Sequence, residues 1–303
     1  MQELSTVQGV LCMNKPQTFT SFDVIGKLRG ILHLKKLGHT GTLDPMATGV
    51  LPVLVGRAAK ACDMLSNQDK TYRAEVRFGI ETDTEDIWGV QTKAYPEMRV
   101  TRDALESVLP QFMGEITQIP PMYSAVSING KRLYESARKG IEAERPPRTV
   151  QVYHIVLEDF DEAAQTAALT ISCGKGTYIR TLLDDIGKML GGGAVMTRLC
   201  RTAACGFTLA DCYDFAQVET FCQAGTLSSH LIPTDQLFLA NPALHLTEAQ
   251  TRLYQNGVKL SLCRLPEILP GQTQYRVYDA QNRFISIGIA DWETGLFKVK
   301  KNF

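Results

Sequence analysis

Gly38-His39-Thr40-Gly41-Thr42-Leu43-Asp44-Pro45-Met46-Ala47-Thr48-Gly49-Val50-Leu51 gathers three glycines and a proline around a single carboxylate. Glycine permits positive φ and close backbone approach, and Pro45 restricts Asp44 to extended backbone. The apolar run Val50-Leu51-Pro52-Val53-Leu54-Val55 follows at once and reads as a buried strand, interrupted or edged at Pro52. Asp44 therefore sits on a stiff loop that leads into the core, where scaffolds commonly present reactive groups. A plain turn with a capping aspartate would need one or two polar side chains. This loop carries five: His39, Thr40, Thr42, Asp44 and Thr48.

Upstream, Val10–Met13 reads as a short buried strand running into Asn14-Lys15-Pro16, a turn with an exposed cation. Thr20-Ser21-Phe22-Asp23 reads as a capped helix start, with Val24, Ile25, Leu28, Ile31 and Leu32 at helical spacing behind it. Downstream, Lys70–Ile80 is the clearest strand in the chain. Tyr72, Ala74, Val76, Phe78 and Ile80 share one face, so Tyr72 points inward. Thr82-Asp83-Thr84-Glu85-Asp86 reads as a solvated acidic turn with no active role.

A helix starts near Thr101 and is bent or ended by Pro110. Asn129-Gly130 signals a hairpin, and Lys131, Arg132, Arg138, Lys139, Arg145 and Arg148 make residues 120–150 a basic projecting insertion suited to phosphates. Residues 150–157 and 166–172 alternate like paired strands. Ile179, Leu182, Leu183, Ile186 and Met189 recur at helical spacing, which places Tyr178 and Arg180 at that helix's first turn, and Gly191–Gly193 end it. Thr197–Thr202 reads as a strand whose two arginines mark a basic sheet edge. Residues 245–303 form a separate small β-rich unit with a basic end.

The 303 residues suffice for one large domain and a small one, and 44% hydrophobic with 21% charged residues is an ordinary soluble balance. No apolar run approaches the ~20 residues of a membrane span. The start Met-Gln-Glu-Leu-Ser has no secretion signal, so cytoplasm is the expected setting. The eight cysteines form no C-x-x-C and no histidine lies near them in zinc spacing, so no metal is expected. Net charge is zero, but residues 1–60 hold seven Lys/Arg against three Asp/Glu, and residues 75–115 hold four against nine. A basic face and an acidic flank can thus coexist.

Several of these segments, in order, resemble the TruB family of bacterial tRNA pseudouridine-55 synthases. They are Asn14-Lys15-Pro16, the Gly38–Leu51 loop, Lys70-Thr71-Tyr72-Arg73, Ile119–Ala125 and Lys175–Thr181, continuing to Leu199. The resemblance implies an α+β fold: a mixed, mainly antiparallel sheet flanked by helices, with a small C-terminal PUA-like domain. Residues 1–233 would be the catalytic domain, with a thumb-like insertion at about 120–150, and 245–303 the small domain. It implies uridine isomerisation at position 55 in the tRNA T-loop, with base flipping and no cofactor.

Carried over by position, Asp44 is the catalytic carboxylate and Arg180 the arginine that pairs with it. A neighbouring guanidinium holds a carboxylate ionised and aimed. Tyr72 stacks on uracil and is a candidate for proton transfer. Tyr178 and Leu199 line the base pocket, His39 enters the space the base vacates, and Lys15 lies near the RNA cleft. The expected partner is the T-arm of tRNA, bound salt-sensitively by a monomer without a protein partner or membrane. The alternative is a tRNA-folding chaperone, with or without turnover. Gly38-His39-Thr40-Gly41 also fits the short G-x-x-G of a KH domain, which would not account for Asp44 or the Tyr178–Arg180 pair. No G-x-G-x-x-G follows a strand, so a dinucleotide enzyme is not indicated.

Overall fold

The computed structural model describes residues 7–65, 68–123, 127–128, 131–132 and 144–303. In chain order its first strands are β1 Gly9–Lys15, β2 Leu37–His39, β3 Thr48–Val55, β4 Lys70–Phe78, β5 Ile80–Thr82, β6 Gln91–Ala94 and β7 Gly114–Gln118. They continue with β8 Ser127–Ile128, β9 Lys131–Arg132, β10 Arg148–Asp161, β11 Thr166–Cys173, β12 Ala194–Ala204 and β13 Phe207–Thr208. One sheet of nine strands runs β1-β3-β12-β4-β11-β10-β7, with β13 beside β12 and β2 beside β3. Among the described residues only β12 with β3 is parallel; the other pairings in this sheet are antiparallel. The sheet is the mixed, mainly antiparallel one expected.

The sequence pattern explains most of its parts. In β4, Tyr72, Ala74, Val76 and Phe78 are buried while Arg73 and Arg77 are exposed, the period of two that a one-sided core demands. Helix α1, Ser21–Leu32, starts at a full capping box in which Thr20 and Asp23 satisfy each other's backbone amides. After α2, Cys62–Leu65, helix α3, Arg102–Val108, starts at the Thr101 cap and passes into a 3-10 turn containing Pro110. Helix α4, Ile179–Met189, packs with α3 on the β4/β11/β12 face through Ile179, Leu182, Leu183, Ile186, Leu105 and Leu109. Helix α5, Phe215–Gln223, joins α1 over β1 and β3.

Two expectations need correction, and a third lies largely outside the described residues. β3 runs through Pro52 without a break, because β2 replaces β12 as its neighbour along that half of the strand. β12 is not a basic edge; it lies between β3 and β4 in the middle of the sheet. The 120–150 insertion falls largely outside the described residues, including Ser124–Val126 and the Asn129-Gly130 turn itself. β8 and β9 pair antiparallel on either side of that turn.

A β-rich C-terminal domain follows. Helix α6, Glu248–Gln255, packs on a five-stranded sheet ordered β14-β16-β17-β18-β15. Its strands are β14 Ala243–His245, β15 Leu260–Ser261, β16 Gln274–Tyr278, β17 Phe284–Asp291 and β18 Leu296–Asn302. Its core is its own, built from Leu244, Tyr254, Tyr275, Val277 and Phe297 among others. Among the described residues no helix is long and apolar enough to cross a membrane.

Candidate active site

The 38–51 loop bridges β2 and β3, and its two ends are fixed by different means. Thr40 donates its amide to Pro52 O (3.3 Å), and the Ala47 amide returns to Asp44 O (3.0 Å), closing a turn around the carboxylate. Gly49 adopts φ +105°, and a Cβ there would lie 2.2 Å from the Arg201 carbonyl oxygen. Only glycine lets β3 approach β12 so closely at the exit of the loop.

Asp44 meets Arg180 as expected. Arg180 Nε lies 2.9 Å from Asp44 Oδ2, with the arginine side chain 5% exposed and the aspartate 39% exposed. The buried cation is thus presented to a carboxylate that still faces solvent. Its other nitrogens are occupied: Nη1 donates to Thr84 O (2.8 Å) and Nη2 to Tyr123 O (3.0 Å). Asp86 Oδ2 stands 4.0 Å from Nη1. A buried guanidinium is tolerable only with such a full set of partners.

That set corrects the reading of residues 82–86. The acidic turn is not a bystander. Its backbone accepts from Arg180, Thr84 Oγ1 orients Asp86 (2.7 Å), and Glu85 accepts from Thr181 Oγ1 (2.6 Å). The turn is tied to β12 by Met196 N to Glu85 O (3.2 Å) and Ile87 N to Met196 O (2.9 Å). Burial pushes the Glu85 carboxyl up to about 7, against the Thr181 hydrogen bond and the Arg180 charge. Burial also raises Asp86.

Lys15 is likewise not an exposed cation. It is fully buried, and its ammonium donates to Pro16 O, Phe19 O and Pro45 O, the last at 3.0 Å. Burial lowers its pKa to about 8, with the Asp44 charge acting the other way. Lys15 therefore ties the turn after β1 to the residue following Asp44.

The residue that sequence reasoning misplaced is Arg201, read as part of a basic sheet edge. It is completely buried in mid-sheet. Nε donates to Val50 O (2.7 Å), Nη2 to Gly41 O (3.2 Å) and Nη1 to Thr42 O (3.4 Å). One planar fork thus spans both ends of the loop. On β4, Tyr72 stands directly opposite Arg201 in register. Burial pushes the Tyr72 hydroxyl up to about 12, while the Arg201 guanidinium draws it back. The available signal was two arginines among Leu199, Cys200 and Ala203-Ala204, a strand too apolar for an edge.

The remaining predicted residues are placed as follows. Tyr178 caps α4, and its backbone N–H and C=O both pair with the Gln118 side chain (3.0 and 3.2 Å). Leu199 is buried on β12, and its carbonyl accepts from Thr48 Oγ1 at 3.5 Å. His39 is half-buried; burial and the Arg201 charge hold it below the ordinary imidazole range. Among the described residues its buried Nδ1 has no hydrogen-bond partner, and its ring stands perpendicular to Phe22 (88°, centroids 6.1 Å apart). Hydrogen bonds and register thus bring Asp44, Arg180, Lys15, Arg201 and Tyr72 into one linked group.

Residues 29–179 match the TruB family pseudouridylate synthase N-terminal domain, and residues 180–239 the tRNA pseudouridylate synthase B C-terminal domain. A Bacillus cereus protein named tRNA pseudouridine synthase B is 44% identical over 260 residues, 84% of each chain. The chain belongs to the TruB family. A TruB relative of the same name from Dehalococcoides mccartyi is 42% identical over 283 residues, 93% of this chain and 92% of that one. A chain in the crystal structure of a Cbf5–Nop10–Gar1 complex shares the fold, with TM-score 0.75 at 24% identity, covering 99% of this chain and 86% of its own.

Proposed function

We propose that this TruB-family chain converts uridine to pseudouridine at position 55 in the T-loop of tRNA, acting alone in the cytoplasm. The observation that carries the reading is the Asp44–Arg180 pair at 2.9 Å, buried on the cation side and open on the carboxylate side. The isomerisation breaks the N1–C1′ bond of uridine and joins C1′ to C5. The C5 hydrogen leaves as a proton, N1 ends protonated, and no water or electron is consumed. One aimed carboxylate can serve such a reaction, whereas hydrolytic glycosidases use two.

Each residue then has a task. Asp44 attacks the flipped nucleotide or removes a sugar proton, and Arg180 fixes the direction of its free oxygen. Tyr72, Tyr178 and Leu199 form the base pocket. Burial raises the Tyr72 pKa and favours the neutral phenol, which supports stacking over proton abstraction. His39 fills the space left by the extruded base, whose flipping costs a few kcal/mol. Lys15 and Arg201 hold the loop and do not reach the RNA. Residues 1–233 act as the catalytic domain, and residues 245–303 as a PUA-like domain with a basic end at Lys298, Lys300 and Lys301.

The test is carbodiimide-dependent primer extension on an unmodified tRNA transcript, wild type beside Asp44→Asn. A single T-loop stop, absent with the variant, is expected. Stops elsewhere would keep the chemistry and overturn the substrate. No stop, with tRNA still bound, would move the reading to a folding chaperone.

A further inference from the structure

We propose that Phe22 is a stacking platform for an unpaired RNA base that lies beside the uridine entering the Asp44 site. The proposal rests on the functional reading above and adds a contact surface to it.

Phe22 is 68% exposed in the first turn of α1. A lone exposed aromatic is common and by itself means nothing. This one is held in place from both sides. The capping box of Thr20 and Asp23 fixes the backbone of the turn. Ser21, its neighbour, is buried and bonded to the catalytic loop in both senses: Leu43 N donates to Ser21 Oγ (2.9 Å), and Ser21 Oγ donates to Leu43 O (3.4 Å). Leu43 is the residue before Asp44. Two covalent neighbours and one pair of hydrogen bonds thus separate the ring from the catalytic carboxylate.

The ring also stands perpendicular to His39, at the β2 end of the same loop. Two crossed aromatic planes at the rim make a corner with one ring exposed. Phe22 has no hydrogen-bonding group, so it cannot read a phosphate or a base edge. What it offers is a flat apolar surface at a fixed height. An unstacked base in an RNA loop offers the complementary surface, and extrusion of a neighbour is what leaves such a base without a stacking partner. Further along the same exposed face, an added Cβ at Gly26 or Gly30 would meet nothing within 4 Å, so the strand has room to lie along α1.

The test uses full-length wild type, Phe22→Ala and Phe22→Trp on one unmodified tRNA transcript, measuring Kd, KM and kcat over a range of salt. Stacking removed by alanine weakens binding by about 5- to 150-fold on the usual scale. We expect Kd and KM to rise about tenfold for Phe22→Ala, kcat at saturation to stay within about twofold, and Phe22→Trp to match wild type. The salt dependence of Kd should stay parallel to wild type, because a neutral contact releases no counterions. The melting midpoint should not move, since the lost ring is exposed.

Equal Kd for wild type and Phe22→Ala overturns the proposal. So does a loss that comes with a lowered melting midpoint and a changed salt slope, since that is distortion of the loop. If wild type forms no pseudouridine, the functional reading fails, and the Kd comparison still decides the platform.

Discussion

The two sheets bury polar groups in opposite ways. Around the 38–51 loop the large sheet and helix α4 bury three cations, Lys15, Arg180 and Arg201, each donating to backbone carbonyls of loops or turns. The C-terminal sheet buries hydroxyls, such as Tyr254 Oη against Ser286 Oγ at 2.8 Å. Its one buried carboxylate, Asp279, serves its own turn through the amides of Gln281 and Arg283 and the Arg283 guanidinium. Desolvating a cation costs several kcal/mol even when it is paired, so a fold needs a reason to do it. In the large sheet the reason is reach. A cation with three to five donors can hold several carbonyls of an irregular loop at once, which one hydroxyl cannot.

The comparison predicts that substitutions in the first region cost turnover before stability, and that the second region behaves the other way round. The largest effect belongs to Asp44→Asn. It removes the carboxylate proposed to act on the nucleotide and leaves the loop's carbonyl contacts intact. Turnover should fall by at least about 10³-fold while the melting midpoint stays near wild type. Single-turnover assays with a melting curve on the same sample check both. Residual activity within tenfold of wild type would mean that Asp44 is not the reacting carboxylate.

Next is Arg201→Lys. Lysine keeps the buried charge but cannot span Gly41 O, Thr42 O and Val50 O with one planar fork. A 1 Å misplacement of a reacting group can cost about 10²-fold, so kcat should drop by about 10- to 100-fold with the Kd for tRNA little changed. Equal losses in kcat and binding would mean that Arg201 supports the sheet and does not aim the loop.

How much of this was legible in the sequence follows from what each signal encodes. The period of β4, the caps of α1 and α3 and the first turn of α4 are local patterns, and local patterns fix local structure. The Asp44–Arg180 pair came from family resemblance, since 136 positions separate its members and no local pattern links them. Arg201 was misread because a strand's sequence does not say whether its neighbours are solvent or other strands. Residues 82–86 were misread for a different reason. The partner that Arg180 uses there is the Thr84 carbonyl, a group present at every position and invisible to side-chain reading. Lys15 is the same case, with carbonyls as its partners.

The acidic turn supplies a smaller effect with a definite sign. The Glu85 carboxyl titrates near 7 in the folded chain, against an ordinary value of 4.5. Between those values the folded chain holds a proton that the unfolded chain has lost. Stability therefore falls as pH rises from 4.5 to 7, and the whole cost is present above 7. Glu85→Gln cannot ionise and keeps an oxygen for Thr181. It should be more stable than wild type at pH 8, on the order of 1 kcal/mol once partial solvent contact is allowed for. The difference should shrink towards pH 4.5. Thermal melts of both proteins across that range test it, and a gain independent of pH would rule out ionisation as the cause.

The smallest effect sharpens the contrast from the other side. Tyr254→Phe deletes the hydroxyl that meets Ser286, and both residues are buried. Ser286 is then left with an unpaired buried hydroxyl, which costs about 1 kcal/mol or a little more. Turnover should not change. Adding Ser286→Ala removes the second partner and with it the stranded group, so the double variant should recover most of the loss. A neutral pair can be deleted as a unit because nothing else depends on it. The corresponding deletion around the loop has no neutral solution: taking out Arg201 strands three carbonyls that belong to the backbone and cannot be mutated away. If the double variant stays as unstable as Tyr254→Phe, the C-terminal hydroxyls are part of a wider network, and the two sheets differ less than their buried charges suggest.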